Sequence, residues 1–402
     1  MDPDFSADGP ADFTVVCCPD SFKGTATARE AAEAMAAGTR DAGATAIAIP
    51  MADGGEGTAE LLAQAWTEEQ GPVAHDVRTV DAIGRPITAR WWGPAPGRAV
   101  LDLASASGLP AVADAKDPLG ASTFGTGEVI LDALAHCGAV GADRAGGPDI
   151  TICLGGSATT DGGAGLITAL GARILDESGA ALPFGGAALA SAARLDLSGL
   201  DPRARRATWR LVLDVTTPPR DAPAVFGPQK GATGEQVAQL TEALRAWCRL
   251  CGVDPDQPGF GAAGATPVGI AAIAGAASGG ENAGARLSIE PGAALLARAT
   301  GLADIIAEGT ADLILTGEGA IDAQSHVGKV VGWIVDAART ADSPTPVHLI
   351  GGSVEDGVPV VKRARGATAL PGPLEETREQ LREAAYEATL RAARKAGRAR
   401  RS

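Results

Sequence analysis

Short apolar runs alternate along this chain with glycine-broken polar loops and alanine-rich amphipathic stretches, the pattern of strands that feed helices. After a loose tail, Met1 to Asp12, the run Phe13 to Cys18 predicts a strand. The loop Pro19 to Thr25 follows, then a helix from about Thr27, where Thr27 and Glu30 have capping-box spacing. Thr45 to Pro50 predicts a second strand, followed by the loop Met51 to Thr58 and a helix through Leu61, Leu62 and Trp66. From Pro72 to Leu103 the period shortens to alternation, which predicts a β-meander rather than a βαβ unit. Ile150 to Leu154 reads as a buried strand, and the nearly continuous apolar run Ala164 to Leu175 reads as a buried helix. Leu211 to Val215 predicts a strand, Gly234 to Cys251 a helix, and Gly259 to Gly284 a mobile connection. Asp312 to Leu315 and Val347 to Ile350 predict strands, and Glu375 to Arg401 a charged helix with a solvated basic end.

A chain of 402 residues exceeds one ordinary core, so two or three domains are expected. The change of period near residue 75 points to a second domain inserted into the first. A hydrophobic fraction of 45% describes a globular chain, and a net charge of −15 argues against nucleic-acid or anionic-membrane surfaces. The six cysteines lie mostly in apolar segments and read as reduced thiols; Cys248 and Cys251 form a lone CxxC without metal partners. The acidic start lacks the apolar core of a signal peptide, and no run reaches the ~20 residues of a membrane span. A cytoplasmic location is expected.

The candidate chemistry gathers where predicted strands meet glycine loops. Gly155, Gly156, Gly162 and Gly163, with Ser157, Thr159 and Thr160, make a small-residue loop ahead of a helix start, an arrangement suited to a phosphate or to a ligand-free turn. Asp20, Ser21 and Lys23 sit beyond the carboxyl end of a strand, the rim where open α/β sheets bind ligands. Asp53 and Glu56 share a second such loop, able to hold Mg²⁺, accept a hydroxyl proton, or merely cap the next helix. Asp214 ends another strand, a Pro-Gly turn presents Lys230, and Glu318 and Asp322 stand on a third glycine loop. Gly328-Lys329 lacks the rest of a Walker A loop, Gly125-Thr126-Gly127 lacks the third glycine of a dinucleotide fingerprint, and the four histidines are scattered. His75 reads as a strand-surface residue. Carboxylates, lysines and glycine-cradled anion sites fit phosphoryl transfer.

Five segments in order, Pro19 to Gly24, Pro50 to Thr58, Leu154 to Gly165, Phe226 to Ala232, and Thr316 to Gly319 with Asp322 and Gln324, resemble the glycerate kinase family of the bacterial glyoxylate and sugar-diacid pathways. The resemblance implies an α/β fold of two α/β domains. One, Rossmann-like and formed by both chain ends, is expected at 13–75 and 290–395; the other, inserted and with a mixed sheet, at 76–289. It implies ATP-dependent phosphorylation of D-glycerate to 2-phosphoglycerate. The alternatives are another small hydroxy acid, the 3-phosphate product, or a catalytically silent sensor. Lys23, Asp53, Asp322 and Lys230 are then the expected catalytic residues, with Asp53 or Asp322 as base. Asp20, Ser21, Glu56 and Glu318 would bind substrate, Gly155, Gly156, Ser157, Ala158, Thr159 and Thr160 the nucleotide, and Asp161 and Asp214 the Mg²⁺. Domain closure would exclude water, and the partners would be the two small molecules, with a homodimer compatible. The chain departs from the family pattern at Ala320, where arginine is usual, at Val331, and at Thr216-Thr217-Pro218. Arg286 or Lys329 would stand in for the arginine.

Overall fold

The structure is a computed structural model that describes residues 12–67, 71–140, 147–276, 286–323, 325, 329–355 and 357–399. The tail before residue 12, the whole stretch 277–285, Gln324, and the last basic residues lie outside the described residues. In chain order the strands are β1 (Thr14–Cys17), β2 (Thr45–Ala48), β3 (Val73–Val80), β4 (Pro86–Ala95), β5 (Arg98–Asp102), β6 (Asp149–Cys153) and β7 (Arg173–Leu175). They continue with β8 (Arg194–Asp196), β9 (Thr208–Leu213), β10 (Leu287–Pro291), β11 (Leu313–Ile321), β12 (Val347–Val354) and β13 (Gly366–Ala369).

The chain divides into two units, Met1–Asp53 with Gly292–Ser402, and Gly54–Pro291. The second boundary falls close to the expected one. The first lies earlier than residue 75 because the helix Thr58–Ala65 packs on β4 and β5, a tertiary choice that no local pattern announces.

In the first unit five parallel strands lie in the order β13-β12-β11-β1-β2. The chain leaves β1 through the helix Ala28–Asp41 to β2 on one side, while its far end enters at β11 on the other side and moves outward. The strand order therefore reverses between β1 and β11, and such a switch point leaves a crevice at the carboxyl ends of the strands. Val15, Cys17, Leu313, Leu315 and Ile350 form the core with Met35 and Leu381 from the flanking helices. The Thr27 capping box is present, Thr27 Oγ1 accepting from Glu30 N at 3.2 Å while Thr27 N donates to Glu30 Oε2 at 2.9 Å.

The second unit has a mixed six-stranded sheet, β10-β9-β6-β5-β4-β3. The expected meander is β3-β4-β5, and β5, β6, β9 and β10 then run parallel. Leu101, Ile150, Ile152, Trp209 and Leu211 are buried in one core with Ile130 and Leu134 of the helix Phe124–Val140 and Trp247 of the helix Gly234–Cys251. His75 is more enclosed than expected: its ring stacks on Trp91 at 3.9 Å with His136 at 4.8 Å, and burial pushes its pKa down.

Two expectations fail in this unit. The helix from Ala164 stops at Ala169, and Arg173–Leu175 is β7, paired with β8. A short, continuously apolar run does not distinguish helix from strand, and Gly171, at φ +99°, breaks the path. The supposed mobile connection is, up to Ala276, a mostly buried helix, Ala262–Ala276. It contains three successive left-handed residues, Ala263, Gly264 and Ala265, at φ 50°, 64° and 66°.

Candidate active site

In the first unit the expected residues gather at the switch point. Cys18 N donates to Leu315 O at 2.8 Å, Asp20 N to Gly317 O at 2.9 Å, and Thr316 Oγ1 to Cys18 O at 2.9 Å, so the chain beyond β1 stays stitched to β11. That stitching sets Asp20 within electrostatic reach of Asp53, Glu318 and Lys329. Burial, then the Asp53 charge and more weakly that of Glu318, push the Asp20 carboxyl up to about 8, against the opposing Ser21 N–H bond at 2.6 Å and the Lys329 charge. These surroundings favour the protonated form of Asp20, which can donate a hydrogen bond. Glu318 is raised too, mainly by burial and then by Asp53 and Asp322, while a Ser325 hydrogen bond and Lys329 oppose. Its Oε1 is buried without a hydrogen-bond partner. Among these neighbours Lys329 supplies the positive charge. Arg286, by contrast, donates to Arg205 O in the other unit at 2.9 Å.

Lys23 and Ser21 are exposed beside this group. Lys23 rides on a turn closed by Phe22 N to Ala26 O at 2.8 Å and Ala26 N to Phe22 O at 2.9 Å, so the backbone holds the turn without help from the lysine side chain.

In the second unit Glu56 is exposed and does not cap the following helix. That task falls to Asp102 at the end of β5, which accepts from Gly57 N at 2.8 Å and Ala59 N at 3.0 Å. Burial raises the Asp102 pKa to about 6 despite those two bonds. Its only sequence signal was a carboxylate closing an apolar strand. The Gly55 and Gly155 loops lie against each other: Gly155 N donates to Gly54 O at 2.9 Å, and a Cβ at Gly155 would come within 2.5 Å of Gly55 Cα.

The loop after β6 differs from expectation in three respects. Its reachable part is Gly155 and Gly156, since Ser157, Ala158, Thr159 and Thr160 are buried. The helix start is already occupied by a carboxylate of the chain: Asp161 accepts from Thr123 N and Oγ1 at 2.8 Å, Gly163 N at 3.2 Å and Gly165 N at 3.1 Å. Fully buried and accepting from four donors, Asp161 ties this helix start to Thr123. Lys230, expected as a cation for the transferred group, is 2% exposed and donates to Ser157 Oγ at 3.0 Å and Thr159 O at 2.5 Å. Burial pushes its pKa down to about 7, with the nearby Asp161 charge opposing. The amine is thus enclosed and directed at the loop. Asp214 is half-buried just beyond β9, and Thr216 and Thr217 carbonyls hold Gly259 N and Gly261 N at 3.0 Å and 2.9 Å.

The left-handed turn braces this same loop. Gly162 N donates to Gly264 O at 2.9 Å, and a Cβ on Gly264 would lie 2.0 Å from Thr159 O. Gly264→Ala is expected to cost roughly 2–5 kcal/mol, a left-handed alanine plus a backbone clash. Gly24→Ala, at φ +83° with nothing within 4 Å of its Cβ, supplies the control. It should cost only about 1–2 kcal/mol. Urea midpoints of both variants test this, and equal shifts would refute the clash.

The glycerate kinase family profile matches residues 15–400. Glycerate 2-kinase of Escherichia coli K12 is 37% identical over 359 residues, 86% of this chain and 87% of that protein. Glycerate kinase of Bacillus subtilis 168 is 36% identical over 385 residues, 92% and 94% of the two chains. The crystal structure of a putative glycerate kinase 2 from Salmonella typhimurium LT2 superposes with a TM-score of 0.75 at 33% identity, covering 96% of this chain and 99% of that one.

Proposed function

This chain belongs to the glycerate kinase family and is an enzyme of that type, and from that premise we propose that it transfers the γ-phosphoryl group of ATP to the 2-hydroxyl of D-glycerate. The observation that carries the reading is the switch-point group, where Asp20, Asp53, Glu318 and Asp322 interact around Lys329. Protonated Asp20 is suited to donate to the substrate carboxylate, and Lys329 to neutralise it. The hydroxyl proton is assigned to Asp53 or Asp322. Exposed Lys23 is assigned to charge on the transferred group and Ser21 to the substrate hydroxyls. In the second unit Gly155 and Gly156 are the backbone assigned to the nucleotide phosphates.

Among the described residues no three His, Cys, Asp or Glu side chains come together to hold a metal ion. Mg²⁺ is commonly held by one or two carboxylates together with substrate phosphates, and in the first unit the buried Glu318 Oε1, which has no hydrogen-bond partner, is an oxygen suited to it. When bound, the ion would supply charge neutralisation on the phosphates.

A coupled ADP-release assay with D-glycerate and Mg-ATP, with phosphorus NMR of the product, tests the proposal. A proton-coupled doublet is expected, from phosphate on a carbon bearing one hydrogen. A triplet would instead identify the 3-phosphate. Turnover confined to tartronate, L-glycerate or hydroxypyruvate would reassign the substrate, and no turnover with any of them would make the chain a sensor.

A further inference from the structure

We propose that Lys230 is a positioning residue that fixes the glycine loop after β6 by clipping Ser157 and the Thr159 carbonyl to a separate, rigid turn. The inference rests on the assignment of Gly155 and Gly156 to the nucleotide. The lysine belongs to a turn anchored on its own account: Lys230 N donates to Gly227 O at 2.9 Å, Gly231 N to Pro228 O at 3.1 Å, and Lys116 Nζ to Gln229 O at 3.0 Å. From that base its side chain reaches 73 positions back in the chain to Ser157 Oγ and 71 back to the Thr159 carbonyl. Its two acceptors flank Ala158, whose N–H is itself tied to Ser107 O at 2.8 Å. The far end of the loop is held by the left-handed turn through Gly162 N and by Trp247 Nε1, which donates to Gly162 O at 2.9 Å. The limb next to Gly156 has the lysine as its side-chain fastening.

A buried amine costs solvation, and a methionine of similar length would fill the same space without that cost. What methionine cannot do is hold a hydroxyl and a carbonyl two residues apart in one geometry. If the amine sets the loop, its loss moves the Gly155–Gly156 backbone, and nucleotide binding suffers more than glycerate binding.

Lys230→Met in the full chain tests this. Its KM for ATP should rise about tenfold or more, as expected when a binding backbone is misplaced. Its KM for D-glycerate should stay within about twofold, and amide exchange in peptides spanning 154–160 should quicken by about tenfold. An unchanged ATP KM with unchanged exchange, or equal rises in both KM values, overturns the clip. Gly156→Val separates this failure from that of the nucleotide assignment. If Gly156→Val raises the ATP KM and Lys230→Met does not, only the clip fails; if neither does, the nucleotide lies elsewhere. Should Lys230→Met not fold, Ser157→Ala, which removes one acceptor and leaves the lysine, must show the same direction in both readouts. Lys230→Ala should recover ATP KM with added propylamine, and the absence of recovery in a folded Lys230→Ala protein counts against the proposal.

Discussion

Lys23→Ala is expected to lower kcat by about 10²–10³-fold, the usual effect of removing one preorganised group that meets developing charge. Its melting temperature should hardly change. The side chain is exposed, and the turn that carries it is closed by backbone bonds between Phe22 and Ala26. Exposed charges contribute little to folding, ~0–1 kcal/mol, so a large activity loss could not be blamed on instability. Lys23→Arg keeps the charge on a longer, planar group and should recover part of the rate. The coupled ADP assay and a thermal melt on each variant suffice, and turnover within about twofold of the parent would remove Lys23 from the phosphoryl-transfer chemistry.

Asp20→Asn should flatten the pH dependence of both stability and activity. The Asp20 carboxyl titrates near 8 in the folded chain against the ordinary 3.8. Between those values the folded state holds a proton that the unfolded state has lost, so folding stability falls as pH rises through this window. Asparagine has no such proton, and the variant should gain on the order of a few kcal/mol relative to the parent at pH 9, with little gain near pH 4. A smaller slope between about 4 and 6 should survive in the variant, because Asp102 is raised to about 6. Activity follows from the same proton. Neutral Asp20 can donate to a substrate carboxylate, whereas ionised Asp20 repels it, so the parent should lose kcat/KM above pH 8. The amide of asparagine also donates, so the variant should keep kcat/KM within about tenfold at pH 7 and lose the alkaline decline. Urea titrations at pH 6 and pH 9 with a pH–rate profile check both limbs, and parallel profiles would show that another group titrates.

What the sequence made legible was local. Asp20, Asp53 and Glu318 were found because an apolar run followed by a glycine loop marks a strand end, and strand ends are where a parallel sheet offers its ligands. Thr27 and Glu30 declared a helix start through spacing alone, and the helix Gly234–Cys251 appears as read. What the sequence hid depends on distant neighbours. A lysine on a turn reads as solvated, and only the approach of Ser157 and Thr159 encloses Lys230. Asp161 was expected at Mg²⁺, and no local pattern announced that Thr123 and the backbone of Gly163 and Gly165 would donate to it. Ala263 and Ala265 gave no hint of left-handed backbone, because alanine ordinarily signals the opposite. The unit boundary at Asp53 was hidden for a similar reason, since the sheet against which Thr58–Ala65 packs is built later in the chain.

The pairing of β1 with β11 has a bearing on how the polypeptide is made. Thr14 N donates to Asp312 Oδ2 across 298 positions, so β1 emerges from a ribosome long before β11, one of its two neighbours, exists. At roughly 5–20 residues per second that wait is about 15–60 s, during which Val15, Val16 and Cys17 have β2 alone to pair with. Nascent chains halted before Leu313 should therefore need a chaperone at their amino end, while the stretch from Gly54 to Pro291 can already complete its own sheet.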